Sequence, residues 1–273
     1  MPSLPVDRHL VSILYDLIPL LEPDDYLKTA SPMERWLLAT RQPARWRQAT
    51  RVVAISEEVR RCGLEMIGLA PEQVQVVHPG LDHSMSPAEP SNSIGSPFFL
   101  HVGAIESRKN IRRLVAAFAA ARVDPSSLMV FVGPMAPFRR AMLESWGKES
   151  GVLPRLRILG HVSDAKLQAL YRDCIAFVFP SLHEGFGFPP LEAMKVGTPV
   201  LASRSSCMPE VLGDAACWCD GLDIASIAEG LTTLATDSVL RAELRHRGPP
   251  QAGLYTWDNA GKRLAQIIAS IGT

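Results

Sequence analysis

FFLHVGAIESRKNIRRLVAAFAAARVDPSSLMVFV, residues 98–132, holds a short apolar run, a turn with two cations, a helical stretch and a second apolar run. The two runs are rich in Phe, Val, Leu and Met, and they lack the polar alternation of a strand with one wet face. Such strands are buried on both faces, and the intervening period of 3.6 supplies the helix that carries the chain back to a parallel neighbour. Working outward, the alternation continues. The spacing predicts strands over residues 156–159, 176–179 and 199–202, and helices over 139–150, 164–173, 191–196, 224–236 and 239–247. That is a doubly wound α/β domain. Ligands of such sheets bind outside the carboxyl ends of the strands, so the loops after Val102, Val132, Leu159 and Phe179 are the first candidates for a site.

Upstream, residues 11–15, 52–55 and 74–77 read as strands, and residues 32–50 as a helix. Ser56 followed by Glu57 and Glu58 reads as an N-cap with acids in the first turn of a helix over 57–66. Residues 81–97 are rich in Pro, Ser and Gly and read as a linker. The expected division is therefore 1–96 as an N-terminal part with its linker, 97–252 as the α/β domain, and 253–273 as a closing helix.

Composition narrows the function. The chain of 273 residues carries 28 Lys+Arg against 28 Asp+Glu, which argues against binding to nucleic-acid backbone in general, because that needs an excess of cations. Any anion site is local. No apolar run has the 18 or so residues of a membrane span, and Pro2, Pro5, Asp7 and Arg8 interrupt the place of a signal peptide. Five cysteines, with Cys217-Trp218-Cys219 the only close pair, fit reduced thiols and not a zinc or redox motif. The expectation is a soluble, cytoplasmic protein.

The chemistry concentrates in residues 180–194, PSLHEGFGFPPLEAM. A strand end leads into a loop with Gly185 and Gly187 and then a helix expected to start near Pro190, with Glu192 in its first turn. Loop N–H groups and the helix start suit a phosphate. Glu184 and Glu192 suit the hydroxyls of a sugar, since a carboxylate only accepts hydrogen bonds. With Gly197-Thr198-Pro199-Val200 and Pro209-Glu210-Val211, this stretch resembles the donor-site signature of family 4 glycosyltransferases. These are retaining enzymes of the GT-B fold, in which two Rossmann-like halves face each other. Val102-Gly103 with Arg108-Lys109-Asn110 resembles the family's first phosphate loop, and Leu159-Gly160-His161-Val162 its base-contacting turn. Ile55-Ser56-Glu57 and His78-Pro79-Gly80-Leu81-Asp82 resemble landmarks near the end of the first half. Tyr15-Asp16-Leu17-Ile18-Pro19 resembles a strand-end motif on the acceptor side.

The resemblance implies that Arg108 and Lys109 hold the diphosphate of a nucleoside-diphosphate sugar, GDP- or UDP-linked, with Gly103 in the same loop. It implies that Glu192 takes the ribose, Glu184 the transferred sugar, main-chain groups from Phe186 through Gly187 to Phe188 the phosphates and sugar, and the backbone around Val162 the base, with Gly185 a donor-side residue that lets the backbone approach closely. His183 is a further donor-side candidate, and Tyr15 and Asp16 are acceptor-side candidates. No metal and no cofactor are implied. The Tyr-Asp-Leu-Ile-Pro and Arg-Lys-Asn variants lean towards mannosyltransferase-like members acting on a glycan or lipid-linked acceptor in envelope polysaccharide synthesis. Five Arg and no acid between Arg35 and Arg51 offer a peripheral contact with an anionic membrane, beside the plainer reading of a solvated face.

Two features depart from the family pattern. Ala104 stands where some members carry a diphosphate-binding Arg, and about 95 residues are fewer than a Rossmann-like half generally needs. The expectation is a GT-B enzyme with a complete second half and a shortened first half. The alternative is a non-catalytic nucleotide-sugar-binding remnant, or a subunit completed by another chain. A dinucleotide-dependent oxidoreductase is disfavoured, because no strand–helix junction carries G-x-G-x-x-G.

Overall fold

Nine strands make two all-parallel sheets in the computed structural model, which describes residues 9–27, 30–82 and 94–271. The smaller sheet has the order β1 (Val11–Leu14), β2 (Arg51–Ala54), β3 (Val74–Val76). The larger contains β4 (Phe98–Val102), β5 (Leu128–Val132), β6 (Leu156–Gly160), β7 (Ala176–Phe179), β8 (Val200–Ser203) and β9 (Cys217–Cys219), in the order β6-β5-β4-β7-β8-β9. The chain divides into two units: residues 1–80 with Glu184–Phe186 and Tyr255–Thr273, and residues 81–183 with 187–254.

In the second unit the strands run outward from β4 in one direction and then, from β7, in the other. This is the Rossmann order, and the reversal between β4 and β7 opens a crevice at their carboxyl ends. Every residue of β5, β7 and β8 is buried, as the unalternating apolar runs require of strands covered on both faces. On one side Phe99, Met129, Phe131, Val178 and Leu201 pack with Leu114, Phe118, Leu143, Ile227 and Leu231 from the helices Ile111–Ala120, Pro137–Glu149 and Ile224–Thr236.

The first unit buries Leu14, Val52, Ala54, Val59 and Ile67 around its sheet. The final helix, Trp257–Ala269, is capped by Thr256, which accepts from the Asn259 N–H at 3.1 Å. It buries Ala260 and Ile267 against Val53 and Val77. Gly80 lies against the Trp257 main chain so closely that a Cβ would collide with it.

Several expected elements differ in detail. The helix over 32–50 is three pieces, Pro32–Trp36, a π-helical turn Leu37–Arg41 and Gln42–Gln48, because Pro43 lacks the N–H that would continue a regular ladder. Arg51 belongs to β2, so it is no part of that cationic helix. β9 was hidden in sequence because Cys217-Trp218-Cys219 is too short for a pattern. The helix expected over 239–247 runs Ser238–Ala252 and carries Pro249 and Pro250 inside its last turns. Among the described residues no helix is long and apolar enough to cross a membrane.

Candidate active site

Strands β4, β5 and β6 each end on a glycine with positive φ: Gly103 at 146°, Gly133 at 139° and Gly160 at 70°. Gly103 and Gly133 extend the ladder beyond β4 and β5, with the Gly103 N–H donating to Val132 O and the Gly133 N–H to Gly160 O, both at 2.9 Å. A Cβ on Gly133 would lie 2.5 Å from Gly103 O, so the two turns can touch only without side chains. The result is a shelf of bare backbone at the carboxyl edge of the sheet, with Gly103 and Gly160 half-buried and Gly133 buried. Val162, half-buried, follows Gly160 in the next loop, and His161 between them is exposed.

Arg108 and Lys109 sit in a 3₁₀ turn, Ser107–Lys109, directly after β4. Lys109 is buried, and its Nζ stands 4.6 Å from the centre of the Phe179 ring, a cation–π contact that holds the ammonium at the ends of β4 and β7. Arg108 is ion-paired with Glu106 at 2.8 Å and donates to the His183 carbonyl at 3.3 Å. Glu106 was missed in the sequence. It offsets one of the two cations and was invisible there because nothing in the spacing tells whether it faces Arg108 or solvent.

Asn110 joins the two loops that flank the crevice. Its backbone is left-handed at φ 61°, a conformation Asn tolerates, and its Nδ2 donates to Pro180 O at 3.1 Å and Gly221 O at 2.5 Å. The Leu182 N–H donates to Arg108 O at 2.7 Å. Beneath them Ser203 and Ser205 both donate to the Ser181 carbonyl. His183 is therefore carried on a loop fastened to the Arg108 turn by three bonds of main-chain or side-chain origin.

His101, fully buried on β4, engages Val178 O through Nδ1 at 2.9 Å, while among the described residues its Nε2 has no hydrogen-bond partner. Burial lowers its pKa to about 4, partly opposed by the Val178 bond and assisted by the Lys109 cation. The ring is neutral at physiological pH, with Nδ1 carrying the proton it shares with Val178.

The helix after the second loop starts at Phe188, not near Pro190, and runs Phe188–Lys195. Gly187, at φ 98°, is its N-cap, and a Cβ there would collide with the Met208 side chain. Pro189 and Pro190 occupy the second and third helical positions, so two of the N–H groups that a helix start ordinarily presents do not exist. Glu192 is the fifth residue and lies beyond the first turn, a correction to its expected place. It accepts from the Tyr171 hydroxyl at 3.2 Å. Partial burial raises the Glu192 carboxyl above the ordinary carboxylate range, and the Tyr171 bond opposes the rise. The residue as a whole is exposed, so solvent on its open side limits that shift.

Glu184–Phe186 belongs to the first unit. Gly185 accepts at its carbonyl from the buried Ser56 hydroxyl at 2.7 Å, and a Cβ on it would lie 2.7 Å from Tyr15 O and 3.1 Å from Asp16 Cβ. Phe186 is buried edge-on to Tyr255, with ring centres 5.2 Å apart, and lies beside His78. Gly185, Phe186, Tyr15 and Asp16 thus meet at the ends of β1 and β2. Asp16 Oδ1 accepts from the Ile18 N–H at 3.1 Å, while Tyr15 is exposed and lines a cavity of about 250 Å³ with Ile13, Gln42 and Trp46. Among the described residues no three His, Cys, Asp or Glu side chains cluster as a metal site.

Residues 87–250 match the family described as glycosyl transferases group 1. The chain belongs to this family. It is 31% identical over 280 residues to the serotype-specific mannosyltransferase WbdA of Escherichia coli, a match covering 94% of this chain and 33% of that protein. It is 34% identical over 167 residues to the O-antigen chain mannosyltransferase B of Escherichia coli, covering 59% of this chain and 43% of that one. The chain therefore spans less than half the length of these relatives. Among solved structures, Anabaena Alr3699/HepE in complex with UDP and glucose superposes with a TM-score of 0.79 at 20% identity, over 96% of this chain and 72% of that one. The fold is of the GT-B glycosyltransferase type.

Proposed function

We propose that the chain is a retaining hexosyltransferase that moves mannose from a nucleoside-diphosphate sugar, GDP-mannose foremost, to a glycan or lipid-linked acceptor in envelope polysaccharide synthesis. The observation that carries this reading is the Arg108-Lys109 turn fastened to the His183 loop at the switch point of a Rossmann sheet, beside a glycine shelf. The mannosyltransferase names of the relatives support the sugar.

On this reading the diphosphate lies against Lys109 and Arg108, the ribose against Glu192 and the base over the shelf towards Val162. Glu184 holds hydroxyls of the mannose. The acceptor oxygen forms its bond to the anomeric carbon on the face from which the phosphate oxygen departs. The bonding pair leaves on that oxygen, which takes up the acceptor's proton. Lys109 and Arg108 stabilise the charge that develops there, and the buried setting of Lys109 strengthens its effect. The reading needs no divalent metal.

The test is transfer or hydrolysis assayed with GDP- and UDP-sugars, with and without EDTA. Turnover of GDP-mannose, unaffected by EDTA and reduced about 100-fold or more in Lys109→Ala, is the expected result. No turnover with any donor by a folded sample overturns it. A second reading, nucleotide-sugar binding without turnover, is favoured by one fact: Arg108, Lys109 and Glu192 all lie in the second unit. Calorimetry showing donor binding abolished by Glu192→Ala, with no transfer, would support that reading instead.

Peripheral membrane contact stays part of the proposal through Arg35 and Arg45, both exposed, and the exposed Trp36. Liposome flotation that does not depend on anionic lipid would remove it.

A further inference from the structure

Tyr171 lies inside the helix Asp164–Asp173, 2% exposed, with its ring edge-on to Phe177 at 5.4 Å. Its carbonyl accepts from the Thr198 hydroxyl at 2.6 Å and from the Cys174 thiol at 3.2 Å. A buried phenol needs a partner, and this one donates to Glu192 Oε2. Among the described residues Oε1 of the same carboxylate has no hydrogen-bond partner. Phe177 stacks in turn on Phe179 at 5.8 Å, and Phe179 carries the Lys109 ammonium on its face. One aromatic row thus runs from beneath Glu192 to beneath Lys109.

We propose that Tyr171 is a positioning residue for the donor site: its hydroxyl sets the rotation of the Glu192 carboxylate, so that Oε1 is presented to the ribose hydroxyls of a nucleoside diphosphate. This rests on the assignment of the ribose to Glu192. A flexible Glu loses rotamer freedom when it binds, and a phenol that has already fixed one oxygen removes part of that loss. The phenol also favours the charged carboxylate, against burial and the nearby Asp164 and together with Lys195.

Calorimetry on the full chain with GDP and UDP, each compared with its 2′,3′-dideoxy form, tests the proposal. Wild type is expected to prefer the ribose forms by about tenfold, the scale of one or two hydrogen bonds. Tyr171→Phe keeps the ring and its packing. It should lose most of that preference by weakening the ribose forms alone, with an unchanged thermal midpoint. Without the phenol bond the Glu192 pKa rises, so what remains of the preference should fade at a higher pH than in wild type. Glu192→Ala separates the two ideas. If it leaves the ribose preference intact, the assignment of Glu192 fails. If it abolishes the preference while Tyr171→Phe keeps both the wild-type preference and its pH dependence, the positioning role fails. Equal weakening of ribose and dideoxy forms by Tyr171→Phe would mark Tyr171 as merely structural and also overturn the proposal.

Discussion

His101 shows what burial does to a side chain that looks ordinary in sequence. With its pKa lowered from 6.5 to about 4, the folded state resists a proton that the unfolded chain accepts. Stability from this group is complete above pH 6.5 and is lost as pH falls through about 4, a total of about 3 kcal/mol at the linkage rate of 1.36 kcal/mol per unit. Urea unfolding of wild type and His101→Phe across that range should show the acid-side slope shrinking in the variant; an unchanged slope would mean other groups carry it. Asn110 offers a second test. Asn110→Ala removes the bonds to Pro180 O and Gly221 O and forces alanine into left-handed backbone. A loss of about 2–4 kcal/mol is expected, with Asn110→Gly about 1 kcal/mol less severe. Equal losses in the two variants would show that backbone strain contributes nothing there.

At the scale of elements, the strand–helix units of the second unit were legible up to β8 because those strands are mainly apolar runs bounded by turn residues, whereas the three residues of β9 were too few to show a pattern. The helix Ile224–Thr236 was read with both of its ends in place, helped by Asp223, which accepts from the Ala225 N–H at 2.9 Å. The Phe188 helix was misread at its start, because Pro190 is suited to a first position but equally fits a third once Gly187 turns the chain. The final helix depends on a small contact surface. Ile267→Ala leaves a hole against Val53 and Val77 and should cost about 2–4 kcal/mol. Limited proteolysis near Tyr255 should accelerate in that variant; unchanged cleavage would show that the helix is held mainly elsewhere.

Across the whole molecule, the two units differ in how much apolar surface each encloses. A six-stranded sheet with helices on its faces holds the core around Phe99, Phe131 and Leu231, whereas the three-stranded sheet buries Leu14, Val52, Ala54, Val59 and Ile67 besides the cluster of Val53, Val77, Ala260 and Ile267. Amide exchange should therefore be slowest in β4, β5 and β7 and markedly faster in β1, an edge strand with Ile13 51% exposed. Uniform protection of both sheets would contradict this difference.

The sequence alone determined the parallel α/β class and marked the loops after β4, β5, β6 and β7, with the stretch carrying Glu184 and Glu192, as candidates for a site, because those features are written in local periodicity and turn chemistry. Tertiary structure decided what each charged group meets. Arg108 is paired with Glu106, Lys109 rests on Phe179, Glu192 is bound by Tyr171 twenty-one positions earlier, and Gly185 is gripped by Ser56. Apart from Glu106, which flanks the same turn as Arg108, these partners come from elements distant in the chain, and no spacing rule reaches across them. Burial, which set the protonation of His101, is a property of the packed core and not of any stretch of chain.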